Sequence, residues 1–216
     1  MECMVNMKIL IPARGGSKRI PRKNLVDLNG KPLLYYSIRQ ALNITNDVYV
    51  STEDTEIQEF VESMGANVIE RPERLAQDNS KSEDVVEHFL EEIDTDLFCL
   101  IQPTVPLLSS QYILEGMELI EDYDSVISVC EDVNYYWNVY GEPINFELGN
   151  RKRTQEHQTW YKENGAFYIT RKYNFLKSNI LQNGNVGFVV MKESESIDID
   201  TYEDLELVNK ITRGSE

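Results

Sequence analysis

Short apolar runs separated by segments of helical period repeat from Met7 to Cys130, and no other feature constrains the fold as strongly. Met7–Pro12 (MKILIP) ends at a proline and reads as a buried first strand. Leu33–Leu42 carries apolar residues at helical spacing. Asp47–Ser51 follows as a second strand, Glu53–Met64 as a helix stopped by Gly65, and Asn67–Glu70 as a third strand. Ser82–Glu92 reads as a helix with Ser82 as its N-cap. Leu97–Ile101 (LFCLI) is the most apolar strand, hence the expected centre of the sheet; a helix over Ser110–Glu121 and a strand over Ser125–Cys130 complete the series. Strands alternating with helices predict an α/β fold with a doubly wound, mostly parallel sheet.

The rhythm breaks after Cys130. Residues 131–160 mix aromatics, glycines, Pro143 and charges, and read as an inserted arm or hairpin. The sheet pattern resumes at Ala166–Thr170, Val186–Val190 and Ser196–Thr201, and a last helix runs from Tyr202 to Ile211. Residues 1–216 thus read as one domain, with 131–160 inserted into it.

Charge narrows the partners. The net charge is −16, which argues against nucleic acid, and no apolar run is long enough to span a bilayer. The N-terminal residues lack the pattern of a signal peptide, and three widely spaced cysteines suit neither a disulfide framework nor a zinc site, so the expected compartment is cytoplasmic. Yet five basic residues and no acidic one lie between Arg14 and Lys23. A solvated basic loop and an anion site both fit that cluster.

Its position favours the anion. Ligands of parallel α/β sheets bind beyond the carboxyl ends of the strands, and this loop follows the first strand. Gly15 and Gly16 lack a Cβ, so their N–H groups can come close to a phosphate, while Lys18, Arg22 and Lys23 can add charge-assisted contacts. Neither the P-loop pattern nor the dinucleotide G-x-G-x-x-G pattern is present. Asp198 and Asp200 stand two apart, which on a strand puts both carboxylates on one face with Ile197 and Ile199 turned inward. Mg²⁺ commonly takes one or two carboxylates and fills its octahedron with phosphate oxygens and water. A half-exposed strand with polar outer positions would show the same pattern.

The stretch Ile11 to Asn24 (IPARGGSKRIPRKN), with Gly30-Lys31-Pro32-Leu33 after it, resembles the N-terminal signature of the acylneuraminate cytidylyltransferases, the CMP-sialic acid synthetase family. Further resemblances recur in order: Val50–Asp54 (VSTED), Arg71-Pro72 through Ser80, Gln102–Leu107 (QPTVPL), Arg153–Glu156, Glu163–Tyr168 (ENGAFY) and Ser196–Thr201 (SIDIDT). The resemblance implies a Rossmann-like nucleotidyltransferase fold that joins CMP from CTP to a nine-carbon sugar acid with Mg²⁺. It places Arg14, Gly15, Gly16, Ser17, Lys18, Lys23 and Asn24 on the nucleotide, and Arg71 and Ser80 in the cytidine pocket. Gln102, Thr104, Arg153, Asn164 and Tyr168 would meet the sugar, with Arg153, Lys23 and Arg14 as catalytic groups and Asp198 and Asp200 on the metal. It also implies a homodimer formed through the arm.

Two positions depart from the family pattern, Leu108 and Thr154, where arginines are common; both concern the sugar end. His88 reads as an edge histidine, His157 as a loop residue, and Tyr135-Tyr136-Trp137 as a subunit interface. A related transferase using another nucleotide or a sugar 1-phosphate, and a non-catalytic binding subunit, are the competing readings.

Overall fold

The computed structural model describes residues 7–150, 153 and 159–213. Its elements run β1 (Met7–Pro12), β2 (Asp27–Leu28), β3 (Lys31–Pro32), α1 (Leu33–Leu42), β4 (Val48–Thr52), α2 (Thr55–Ser63), β5 (Asn67–Glu70), α3 (Ser82–Glu92), β6 (Leu97–Ile101), α4 (Ser110–Leu119), β7 (Ser125–Asp132), β8 (Trp160–Arg171), α5 (Lys172–Ser178), β9 (Val186–Met191) and α6 (Tyr202–Arg213). Seven strands form one sheet in the order β5-β4-β1-β6-β8-β7-β9. β5, β4, β1 and β6 are mutually parallel, β7 and β9 are parallel to each other, and β8 runs antiparallel to both of its neighbours. β6 is the middle strand, as its unbroken apolar run predicts, and all of its residues are buried.

Alternate residues of each central strand feed two separate cores. Ile9, Ile11, Cys99 and Ile101 pack with Leu34 and Ile38 of α1, Ile57 and Val61 of α2, and Ile113 of α4. Leu10, Phe98 and Leu100 pack on the opposite face with Val85, Val86 and Phe89 of α3 and Phe175 of α5. Both faces are therefore covered, which is why a buried parallel strand shows no polar alternation. A third, smaller core joins Ile20 and Leu28 to Leu33, Ile199, Leu205 and Val208. It fastens the loop after β1 to the segment before α6.

The chain winds from β1 outward through β4 to β5, then crosses back to place β6 on the other side of β1. The carboxyl ends of β1 and β6 thus flank a topological switch point, where a crevice opens in sheets of this kind.

Several boundaries differ from the sequence expectation, and some of the differences have a local cause. α2 starts at Thr55 because the Asp54 side chain accepts from the N–H groups of Glu56 and Ile57 and caps it. Lys81, not Ser82, is the N-cap of α3; its N–H donates to Asp84 Oδ2 at 3.0 Å. β7 runs two residues further, to Asp132, and β8 starts six residues earlier, at Trp160, so both ends of the expected arm 131–160 belong to the sheet. Ser196–Asp200 carries no regular secondary structure and lies outside the sheet, where a strand was expected. Ile199 is nevertheless fully buried, because its N–H donates to Thr104 O at 2.8 Å and its side chain fills the third core.

Candidate active site

A cleft of about 420 Å³ opens at the switch point. The loop after β1 supplies Arg14, Gly16, Ser17, Lys18, Lys23 and Asn24; the loop after β5 supplies Arg71, Asp78 and Ser80; the turn after β6 supplies Gln102 and Thr104. Three chain segments far apart in sequence meet here because parallel strands deliver all their carboxyl ends to one edge of the sheet.

The basic loop is not a free cluster of positive charge. Lys23 Nζ donates to Ile199 O at 2.9 Å and to Asp200 Oδ1 at 3.0 Å, while Arg19 Nη1 lies 2.6 Å from Asp200 Oδ2. Arg14 Nη1 donates to Ala76 O (3.3 Å) and Asp78 Oδ1 (3.1 Å), and Lys18 Nζ lies 2.7 Å from Asp78 Oδ2. Arg22 is drawn the other way, onto Asp54 and Glu56 (3.0 and 2.8 Å), and does not line the cleft. Acidic groups from three other segments therefore hold the basic residues in place. Asn24 is buried; its Nδ2 donates to Arg14 O at 2.9 Å, while Oδ1 has no partner among the described residues. A buried orphan acceptor beside the cleft suits a ligand donor.

Gly15 departs from its expected role. Its N–H donates to Glu53 Oε1 at 2.8 Å, and a Cβ added there would come within 2.3 Å of Asp54 Oδ2. The missing side chain thus serves close packing against the cap of α2, and of the two glycines it is Gly16 that lines the cleft.

Arg71 is buried at the base of the cleft, held by Ser51 O (2.6 Å) and Ser51 Oγ (3.1 Å). Burial pulls its pKa down to about 10; Glu53 works against that pull and Arg14 adds to it, and the guanidinium stays charged at neutral pH. Ser80 Oγ donates to Arg74 O (3.2 Å), and Gln102 Nε2 donates to Ser82 Oγ (3.2 Å), joining the second and third walls.

Asp198 and Asp200 stand at the rim beyond Lys23. Loss of solvent raises the Asp198 pKa, with the charge of Asp200 adding to the effect, against a hydrogen bond from Thr104 and the fields of Lys23 and Arg19. Among the described residues no group of three or more His, Cys, Asp or Glu side chains is placed to hold a metal ion. A cation here would rest on these two carboxylates plus ligand oxygens, the donor set Mg²⁺ accepts, and the mutual repulsion of the pair is the field a cation relieves. The residues fit such an ion.

The expected sugar-binding residues are less united. Asn164 and Gly165 lie where the β7–β8 register shifts between Ile127 and Val129, and Gly165 has φ +70°, a conformation that favours glycine. Asn164 Nδ2 donates to Ser196 Oγ at 2.8 Å, tying this bulge to the aspartate segment. Tyr168 Oη donates to Glu163 Oε1 at 2.5 Å; burial, then Glu163, push its hydroxyl above the ordinary phenol range, leaving it a donor. Neither Asn164 nor Tyr168 lines the cleft, and Arg153 is exposed and outside its lining. Arg151, Lys152, Thr154, Glu156 and His157 lie outside the described residues. Leu108, expected at the sugar end, is instead buried in the first core. His88 is half-buried on α3, as an edge histidine would be.

The sequence offered no local signal for Asp78, whose partner Arg14 is 64 residues away, or for the Arg19–Asp200 pair.

A cytidylyltransferase family model matches residues 8–213. The chain is 37% identical over 207 residues to N-acylneuraminate cytidylyltransferase A of Danio rerio, covering 90% of this chain and 48% of that protein. It is 33% identical over 213 residues to the pseudaminic acid cytidylyltransferase of Campylobacter jejuni, covering 91% of this chain and 92% of that one. The N-acylneuraminate cytidylyltransferase of Escherichia coli is 34% identical over 210 residues, with 50% of its length covered. The chain thus spans about half the length of several of these relatives and nearly all of another. Its fold is that of CMP:2-keto-3-deoxy-manno-octonic acid synthetase complexed with CTP (TM-score 0.71, 18% identity, 97% of this chain and 99% of that one).

Proposed function

The chain belongs to the cytidylyltransferase family, and from that premise we propose that it transfers CMP from CTP to the anomeric hydroxyl of a sialic-acid-like, nine-carbon sugar acid. The anomeric oxygen bonds to the α-phosphorus, the bond to the β-phosphate oxygen breaks, pyrophosphate leaves, and the hydroxyl proton passes to water. One observation carries this reading: Arg14, Lys18 and Lys23 line a single cleft at the switch point, with the Asp198/Asp200 pair at its rim against Lys23. Transfer of this kind depends on alignment and on neutralising charge as the phosphate passes through its transition state.

Lys23 and Arg14 hold the triphosphate, with Gly16, Ser17 and Lys18 completing the cradle. Arg71, Asn24 and Ser80 face the nucleoside. Gln102 and Thr104 stand on the route toward Asn164 and Tyr168 at the sugar end, while Arg153 is assigned to the sugar carboxylate on the family resemblance alone. Asp198 and Asp200 would hold Mg²⁺, which when bound supplies charge neutralisation for the departing pyrophosphate. The names of the relatives in zebrafish and Campylobacter support a nonulosonic acid as acceptor. We also assign the chain to one domain, the cytoplasm and a homodimer. Among the described residues no helix is long and apolar enough to cross a membrane.

Pyrophosphate release, measured with each of the four nucleoside triphosphates against a panel of nonulosonic acids and sugar 1-phosphates, tests the reading. CTP with a nonulosonic acid should exceed every other pairing by at least roughly a hundredfold, the selectivity expected of a site that hydrogen-bonds its substrate's polar groups. EDTA should abolish that activity. Preference for a sugar 1-phosphate or for another nucleotide would assign the cleft to a different transferase reaction.

A further inference from the structure

Two cations of the cleft already hold an anion belonging to the protein. Asp78 places one carboxylate oxygen 3.1 Å from Arg14 Nη1 and the other 2.7 Å from Lys18 Nζ, and all three residues line the cleft. The pairing is between loops. Arg14 and Lys18 follow β1, whereas Asp78 lies on the loop after β5, whose Ala76 carbonyl also accepts from Arg14. The same loop carries Ser80 and leads out of Arg71, so it forms the wall opposite the basic loop. Lys18 first, then Arg14, holds the Asp78 carboxyl below the ordinary range, so it is ionised at neutral pH.

We propose that Asp78 is an internal stand-in for phosphate: it pairs with Arg14 and Lys18 whenever no phosphate is bound, and an incoming triphosphate must displace it to bind. The inference rests on reading this cleft as a triphosphate site. Lys18 is mostly exposed and Asp78 half exposed, so the exchange needs only side-chain rotation and a small shift of one loop. Three consequences follow from charge alone. The cations stay aimed into the cleft without ligand, as a pre-organised site requires. A ligand must offer enough negative charge to replace both contacts, which favours a triphosphate over a lone monophosphate. After transfer, the returning carboxylate competes with pyrophosphate for the same two cations and so aids its release.

Calorimetric titration with inorganic pyrophosphate, on the full chain, separates this role from a structural one. Asp78→Asn keeps the shape and removes the charge, and should bind pyrophosphate about five- to tenfold more tightly. Asp78→Ala should do the same, while Asp78→Glu should stay within about twofold of the wild type. The gain should shrink as salt rises, since the competing charges are partly exposed. If Asp78 merely anchors the loop, both the Asn and Ala variants should bind pyrophosphate equally well or more weakly than the wild type, and that result overturns the proposal. In the wild type, saturating pyrophosphate should speed amide exchange over residues 76–80; slower exchange there also counts against it. Because pyrophosphate carries no base, loss of CTP preference in the turnover assay would sink the cytidylyl reading and leave this comparison intact.

Discussion

At the residue scale the aspartate pair shows how charge and burial act against each other. The Asp198 pKa lies above its unfolded value, chiefly through lost solvation. A carboxyl raised on folding contributes stability that is fully present below its unfolded pKa and lost as pH rises through the folded one. At pH 7 the ionised Asp198 is therefore a net cost to the free protein, and Asp198→Asn should raise the melting temperature. Because the side chain keeps solvent-open surface, screening holds the rise to on the order of 1–2 °C. The difference should shrink as pH falls through the unfolded pKa of about 3.9, below which the wild-type carboxyl is protonated in both states. Melting curves of the two proteins across pH 3.5–8 check this; a fall in melting temperature at pH 7 would mean that Lys23 and Arg19 outweigh the lost solvation. The alternation with Ile197 and Ile199 fitted a metal pair and a plain half-exposed strand equally, and the family resemblance singled out the metal role. The strand that alternation implied was wrong: a backbone bond to Thr104 and burial of Ile199 in the third core produce the same inward and outward turns.

At the element scale, the start of α2 and the loop after β1 are built as one unit. The Asp54 side chain caps α2, accepts from Arg22 at 3.0 Å, and leaves no room for a Cβ on Gly15. Gly15→Ala should push the cap aside and cost about 1–2 kcal/mol, the usual worth of an N-cap, or roughly 4 °C in a domain of this size. Gly16→Ala is the control, since nothing lies within 4 Å of a Cβ there, and its melting temperature should match the wild type. Equal melting of both variants would remove Gly15 from the cap. Helix boundaries such as Leu33–Leu42 and Ser82–Glu92 were legible because apolar spacing and helix ends are local signals. The full length of β8 was not, because its first residues, Trp160 to Glu163, are exposed and placed by long-range pairing with β7.

At the scale of the whole molecule, many of the exposed large apolar residues lie between β7 and β8 and on the sheet edge beside them. Trp137, Val139, Tyr140, Ile144 and Leu148 stand open on the segment between β7 and β8. Phe188 and Val190 on the edge strand β9 are also exposed, with Tyr161 packed against Phe188 at 5.6 Å. Open apolar surface of this kind marks an interface more often than a solvent face. The proposed homodimer should give light scattering twice the 25.0 kDa chain mass, and Tyr140→Glu with Val139→Glu should shift it toward the monomer. A concentration-independent single-chain mass in the wild type, with full turnover, would remove the dimer from this account.

The sequence by itself determined the layered α/β class, the central place of Leu97–Ile101 and the clustering of chemistry after β1, because each follows from local periodicity or a run of like residues. Tertiary structure alone decided which residues meet. Asp78 faces Arg14 and Lys18, and Asp200 faces Lys23 and Arg19, across separations that no local pattern spans. It also turned Arg22 away from the cleft, gave Gly15 to a helix cap and sank Leu108 into the core. Side-chain partners are set by how the strand ends and the small Ile20–Ile199 core bring loops together, and that depends on packing across the whole sheet.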